Sequence, residues 1–184
     1  MTLHNKLDTL IELLSGYVAD NSHIWKAGYC YGFTNLIIKM NNSEGFSTSI
    51  QYSVDCAQIS VSRARYQWSN GSVMLTNSID LSKYSRIQMC YDCSNSWNSD
   101  SHGVFGLGVS KTQSLAIGAD VTKLEKSYTI PFMKSSTNAI IELDVSNLSG
   151  IYWLYIPMIT SNSGELNGGS NGCSVKIKYI KGIV

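Results

Sequence analysis

The residues best placed for chemistry lie in SNSWNSDSHG, 94–103, where Trp97 stands among Asn95, Asn98, Asp100 and His102. An indole covers apolar C–H faces, while amides, a carboxylate and an imidazole beside it bond hydroxyls; this is the chemistry that holds a sugar. The same tryptophan could instead fold back as a lid on the end of its own domain. A second loop, TSNSGELNGGSNG at 160–172, is long enough to close over a ligand or to touch a neighbouring subunit.

Other constellations carry less. Cys90 and Cys93 form a C-x-x-C inside MCYDC, for which only His102 and Cys173 could complete a zinc site. Strand residues three apart point to opposite faces, so no metal is expected. The five cysteines, an odd number set among apolar residues, read as buried reduced thiols. For catalysis, His4 and His23 lie in the leading segments, leaving His102 as the one histidine of the main domain. H-E-x-x-H, G-x-S-x-G and a Gly-rich loop ending in Lys-Ser/Thr are all missing. Asp92, Asp100 and Asp144 are conceivable glycosidase carboxylates, but sequence sets no distance between them. Gly106 and Gly108 lack the G-x-G-x-x-G order and a following helix, and fit a strand with close backbone neighbours. A non-enzyme without a cofactor is expected.

Charge narrows the partners. Fourteen Lys and Arg against thirteen Asp and Glu leave a net charge of +1, with no concentrated basic face for nucleic acid. Lys176 and Lys178 alternate with Val175, Ile177 and Tyr179, as on the wet side of a half-buried strand. No run approaches the roughly 18 apolar residues that span a bilayer. The opening MTLHNKLDTLIELL carries Asp8 and Glu12 within its apolar pattern, unlike a signal peptide, so folding in the cytoplasm is expected.

Two hydrophobic periods position these residues. Leu3, Leu7, Leu10, Leu14 and Tyr17 are spaced by four, three, four and three, a heptad seam on a short helix over residues 2–18. So short a helix is marginal alone, so its leucine ridge packs on the adjacent domain or on two further copies. The expected division is an oligomerisation helix at 1–20, a linker at 21–28 with Trp25 at the junction, and a β domain at 29–184.

In the β domain, strands are expected at 29–40, 48–56, 85–92, 104–109, 127–132, 139–145, 151–158 and 173–180. A change of apolar parity near Ala57-Gln58 implies a bulge or turn. Asn70-Gly71 predicts a type I′ hairpin pairing Trp68 with Val73 and Tyr66 with Leu75. Evenly spaced strands with two prolines and no helical pattern between them predict a mainly β fold, an antiparallel β-sandwich of jelly-roll-like form.

IDLSKYSRI (79–87) echoes LDVSNLSGI (143–151), and in each the Asp and Ser are suited to end one strand and turn the chain into the next. These strand-ending segments resemble jelly-roll modules of the carbohydrate-binding and galactose-binding-like kind. The leading leucine helix of a Ser/Asn/Gly-rich chain resembles small tail, fibre or baseplate proteins of bacteriophages and prophages. The resemblance implies a homotrimeric virion component meeting other virion proteins or a bacterial surface glycan, without membrane insertion. A stand-alone carbohydrate-binding module is the alternative.

Overall fold

The computed structural model describes residues 23–27, 36–41, 46–63, 69–95, 103–113, 115, 121–133, 135–160 and 171–184. Among these, twelve strands follow in chain order: β1 (His23–Lys26), β2 (Leu36–Asn41), β3 (Phe46–Tyr52), β4 (Ala57–Arg63), β5 (Ser69–Leu75), β6 (Ile79–Asp80), β7 (Arg86–Asn95), β8 (Gly103–Ser110), β9 (Lys126–Pro131), β10 (Ser135–Asp144), β11 (Ile151–Thr160) and β12 (Asn171–Ile183). They form two antiparallel sheets. The first has the order β10-β7-β12-β4-β3, with β1 beside the last part of β12; the second has the order β2-β5-β11-β8-β9, with β6 beside the start of β11. Only β3–β4 and β8–β9 are hairpins between hydrogen-bonded neighbours, and most other connections pass from one sheet to the other. No helix among the described residues is long and apolar enough to cross a membrane.

Alternation explains why these segments pair as they do. Ala57 and Ile59 of β4, Ile87, Met89, Tyr91 and Cys93 of β7, and Val175 and Ile177 of β12 all turn inward. Opposite them stand Val73 and Leu75 of β5, Phe105, Leu107 and Val109 of β8, and Leu154, Ile156 and Met158 of β11. Strands with one buried and one wet side fix their register, because a one-residue slip would drive every apolar group outward. At the centre, the Phe105 ring stacks on Phe132 at 5.2 Å and meets Tyr91 edge-on at 4.9 Å.

The repeated Asp–Ser segments form two of the crossings between sheets, β6 to β7 and β10 to β11. Asp80 accepts a hydrogen bond from the Ser82 N–H at 3.1 Å, and Asp144 from the Ser146 N–H at 2.9 Å. One residue on, the carbonyls of Leu81 and Val145 accept from the N–H groups of Tyr84 and Leu148. The turns also clasp each other. Gly150 donates to the Ser82 hydroxyl, Leu81 N–H donates to the Gly150 carbonyl, and Val145 N–H to the Ser85 carbonyl. Gly150 has φ +94, which a residue with a Cβ rarely adopts. Leu81 and Val145 are both buried.

Several expectations change. Asn70-Gly71 is not a hairpin turn but lies within β5, where Val73 pairs with Ile38 on one side and Ile156 on the other. A local turn would satisfy one edge of that strand, whereas an interior place in the sheet satisfies both. Tyr66 and Trp68 lie outside the described residues. The parity change near Ala57 is the end of a tight turn: Ser53 N–H donates to the Cys56 carbonyl, and the Ser53 hydroxyl accepts from the N–H groups of Asp55 and Cys56. His23–Lys26, expected in the linker, is a strand on β12, and Trp25 enters the core beside Ile180. The helix expected at residues 2–18, with Leu3, Leu7, Leu10, Leu14 and Tyr17, lies outside the described residues.

Gly106 and Gly108 mark close approaches, as their setting in a strand implied. A Cβ on Gly106 would run into the Tyr128 backbone carbonyl, and one on Gly108 into the Leu124 side chain. The first obstacle is backbone and cannot rotate away. Gly106→Ala is therefore expected to cost roughly 1–3 kcal/mol of stability, read as a lower urea midpoint. An unchanged midpoint would show that β9 can move aside.

Candidate functional site

The two outer faces of the sandwich differ. On the second sheet, Met74 and Tyr155 point away from the main core yet are fully buried, under Leu115, Val121 and Leu124. Those residues come from the connection between β8 and β9, which folds back over the sheet. The Tyr155 hydroxyl secures it, donating to the Thr112 carbonyl at 2.6 Å and accepting from the Leu115 N–H at 2.9 Å. This face is occupied by the chain itself.

The outer face of the first sheet is polar and open. Its shape is set by two β-bulges flanking β7. In β12 the register shifts between Ile177 and Tyr179, and in β10 between Ser136 and Ala139. Asn138, in the second bulge, has φ +52, which asparagine tolerates better than most residues. Asp92 of β7 joins the two: one carboxylate oxygen accepts from the Asn138 N–H at 2.7 Å and from the Lys178 ammonium at 2.8 Å. Lys178 also donates to the Asn138 side-chain carbonyl. Partial burial opposes ionisation of Asp92, but the bonds from Lys178 and Asn138 and the charges of Lys178 and Lys176 outweigh it. Its carboxyl therefore titrates below the ordinary range.

The bulge in β12 has a further effect. Strict alternation from Ile177 would send Tyr179 inward and Ile180 outward. The extra residue reverses this: Ile180 joins the core opposite Met89, while Tyr179 faces outward opposite Cys90. His23 meets the Tyr179 ring edge-on at 5.4 Å, and the Lys181 ammonium lies 5.6 Å from its centre.

Rows of side chains run across this face. One is made of serines, Ser49, Ser60, Ser174, Ser94 and Ser135, in register on five adjacent strands. The next holds Gln51, Gln58, Lys176 and Asp92. Gln58 donates its amide to the Ser60 hydroxyl at 3.1 Å. Further along are Tyr179, Cys90 and Ile140, then Lys181, Gln88 and Glu142. Glu142 accepts from Gln88 and Arg86, and these bonds hold its carboxyl below the usual range against weak desolvation.

Of the sequence-derived site, Asn95 ends β7, one residue beyond the serine row, and its amide donates to the Phe132 carbonyl at 3.2 Å. Trp97, Asn98, Asp100 and His102 lie outside the described residues. Asp92 and Asp144 do not make a catalytic pair. Asp144 is in register with Arg86, six residues from Asp92 along β7. That is about 20 Å of strand, far beyond the roughly 5–10 Å between glycosidase carboxylates. Cys93 belongs to the core between the sheets and Cys90 does not, as strand geometry requires. Among the described residues no three His, Cys, Asp or Glu side chains come together. Sequence reasoning missed Tyr179 as a surface residue. The signal was present in the adjacent apolar pair Tyr179-Ile180, a parity break of the kind read near Ala57.

No protein-family model matches the chain, and no curated protein matches it. Among solved structures it is similar to a family 11 carbohydrate-binding module of a cellulosomal cellulase of Clostridium thermocellum. That match has 15% identity and a TM-score of 0.45, over 84% of this chain and 92% of the other. It is also similar to a carbohydrate-binding module with specific mannan recognition, at 10% identity and a TM-score of 0.40, over 81% of this chain and 96% of that one. An arabinose-bound α-L-arabinofuranosidase matches at 8% identity and a TM-score of 0.48, over 86% of this chain but 25% of the enzyme.

Asp92→Asn removes the charge that holds both bulges and is expected to cost about 1 kcal/mol at neutral pH. Because the folded-state pKa of Asp92 is depressed, its stabilisation is complete above about pH 4 and is lost as pH falls below that value. Denaturation curves of wild type and variant should therefore converge in acid. A gap that stays constant down to about pH 2 would contradict the role given to this carboxylate.

Proposed function

We propose that this chain is a non-catalytic glycan-binding β-sandwich that uses the outer face of its first sheet together with the adjoining segment 94–103. The observation that carries the reading is the five-strand row of serines, exposed at Ser49, Ser94 and Ser135 and half-buried at Ser60 and Ser174, beside Gln51, Gln58 and Lys176. Sugars are recognised through hydroxyls, each both donor and acceptor, and rows of hydroxyl and amide groups answer them in kind. Trp97 stands three residues beyond Ser94, with Asn95, Asn98, Asp100 and His102 around it. In this reading its ring covers the apolar side of a sugar while the row beneath bonds the polar edge.

A second reading, a homotrimeric tail, fibre or baseplate component of a phage-like particle, rests on the heptad spacing of Leu3, Leu7, Leu10, Leu14 and Tyr17. It is compatible with the first, since a stalk would display three copies of the same surface to a bacterial glycan. Light scattering tests it: a trimer that becomes monomeric when residues 1–20 are removed supports it, and a monomeric full-length chain overturns it.

For the glycan reading, the full-length protein is applied to an array of plant, algal and bacterial polysaccharides. Binding to one class is expected, with a loss of about 1–2 kcal/mol in Trp97→Ala, the worth of an aromatic stacking contact. Binding unchanged in that variant would remove Trp97 from the site. No binding to any glycan would remove the proposal.

A further inference from the structure

We infer that the glycan taken by this face is acidic, a polysaccharide bearing carboxylate or sulfate groups, held between Lys176 and Lys181 across the ring of Tyr179. This deepens the glycan-binding reading and rests on it.

The outward residues of the first sheet include Lys26, Arg86, Lys176, Lys178 and Lys181 against Asp92, Glu142 and Asp144. Five cations meet three carboxylates, while the whole chain carries only +1, so this face holds more positive charge than its share. Asp92 is taken by Lys178 and Glu142 by Arg86. Lys176 and Lys181 make no ion pair among the described residues, and Lys176 is exposed. Both lie within electrostatic reach of a carboxylate, Lys176 of Asp92 and Lys181 of Glu142, but neither bonds one, so both ammonium groups keep donors for a ligand.

Their placement fits an extended chain. Lys176 is opposite Asp92 and Lys181 opposite Gln88, four ladder positions apart, about 13 Å. Tyr179, opposite Cys90, lies midway, turned outward by the bulge and steadied by His23. Ile140, beside Cys90 on the other strand, is 44% exposed and adds apolar surface next to the ring. The result is an aromatic and apolar centre with the Lys181 ammonium close over the Tyr179 ring and Lys176 two ladder positions to its other side. A sugar ring lies on the centre, and anionic substituents on neighbouring units reach the two lysines, where charge-assisted hydrogen bonds are stronger than neutral ones.

The test compares one backbone in two charge states. Polygalacturonate and its fully methyl-esterified form are titrated into the full-length protein, the Lys176→Gln/Lys181→Gln double variant, and a Lys83→Gln/Lys123→Gln control away from this face. Expected is binding about tenfold tighter to the acid than to the ester at low salt, weakening as salt is raised. The double variant loses that preference and the control keeps it. Equal binding of acid and ester, unchanged in the double variant, overturns the acidic specificity while the glycan reading stands. Equal binding of polyglutamate or of anionic lipid vesicles overturns it too, because then no sugar is being read. Failure to bind either polymer or any neutral glycan overturns both readings.

Discussion

One carboxylate between two bulges ties the three strands at the outer face of the first sheet. Asp92 receives the Asn138 N–H from one neighbouring strand and the Lys178 ammonium from the other, so the extra residue in each strand is held from a single point. A bulge leaves ladder groups unpaired and is tolerated where something else satisfies them. In β10 the compensation comes from the Asp92 side chain, which takes the Asn138 N–H; in β12 the Lys178 carbonyl accepts from the Ala27 N–H, and Asp92 holds the Lys178 side chain. The consequence reaches several residues along β12, where Tyr179 and Lys181 face outward and Ile180 inward.

The two sheets then play different parts. The second sheet is covered inward by Phe105, Leu107, Leu154 and Ile156 of its own core face, and outward, over Met74 and Tyr155, by Leu115, Val121 and Leu124. The first is sealed only inward. Its other side carries hydroxyls, amides and ammonium groups in register, the serine row crossing five strands and the Gln51–Gln58–Lys176–Asp92 row four. Asp92, Glu142 and Asp144 are each engaged by a neighbouring side chain on or beside this face. The paired Asp–Ser crossings at the Ile183 end keep the two sheets in fixed relation, with Ser85 tied to the Ile183 carbonyl by both its N–H and its hydroxyl.

Much of the fold was legible in the chain because burial on one side imposes period two. The strands from Arg86 onward, the turn chemistry of Asp80 and Asp144, and the close packing at Gly106 and Gly108 all follow from local pattern. The Asn70-Gly71 hairpin did not, since a turn propensity is a local gain and the two-sided pairing of Val73 and Leu75 is a larger, non-local one. The strand at His23–Lys26 was hidden by its brevity, with Trp25 its single core residue. The proposed binding face was only partly readable. Serines scattered at positions 49, 60, 94, 135 and 174 become a row only through strand order, which sequence does not encode locally. Tyr179 was misplaced because alternation was carried through Lys178 without allowing for the extra residue.

The central claim is that ligand meets the outer face of the first sheet and leaves the second alone. Backbone amide NMR during a titration with a polysaccharide that the protein binds measures this most directly. The account predicts shifts concentrated at Ser60, Ser94, Ser174, Lys176, Tyr179 and Lys181, with the amides of Met74, Leu154 and Tyr155 unmoved. Shifts gathered instead on β5, β8 and β11, or over the connection from Lys111 to Glu125, would contradict it.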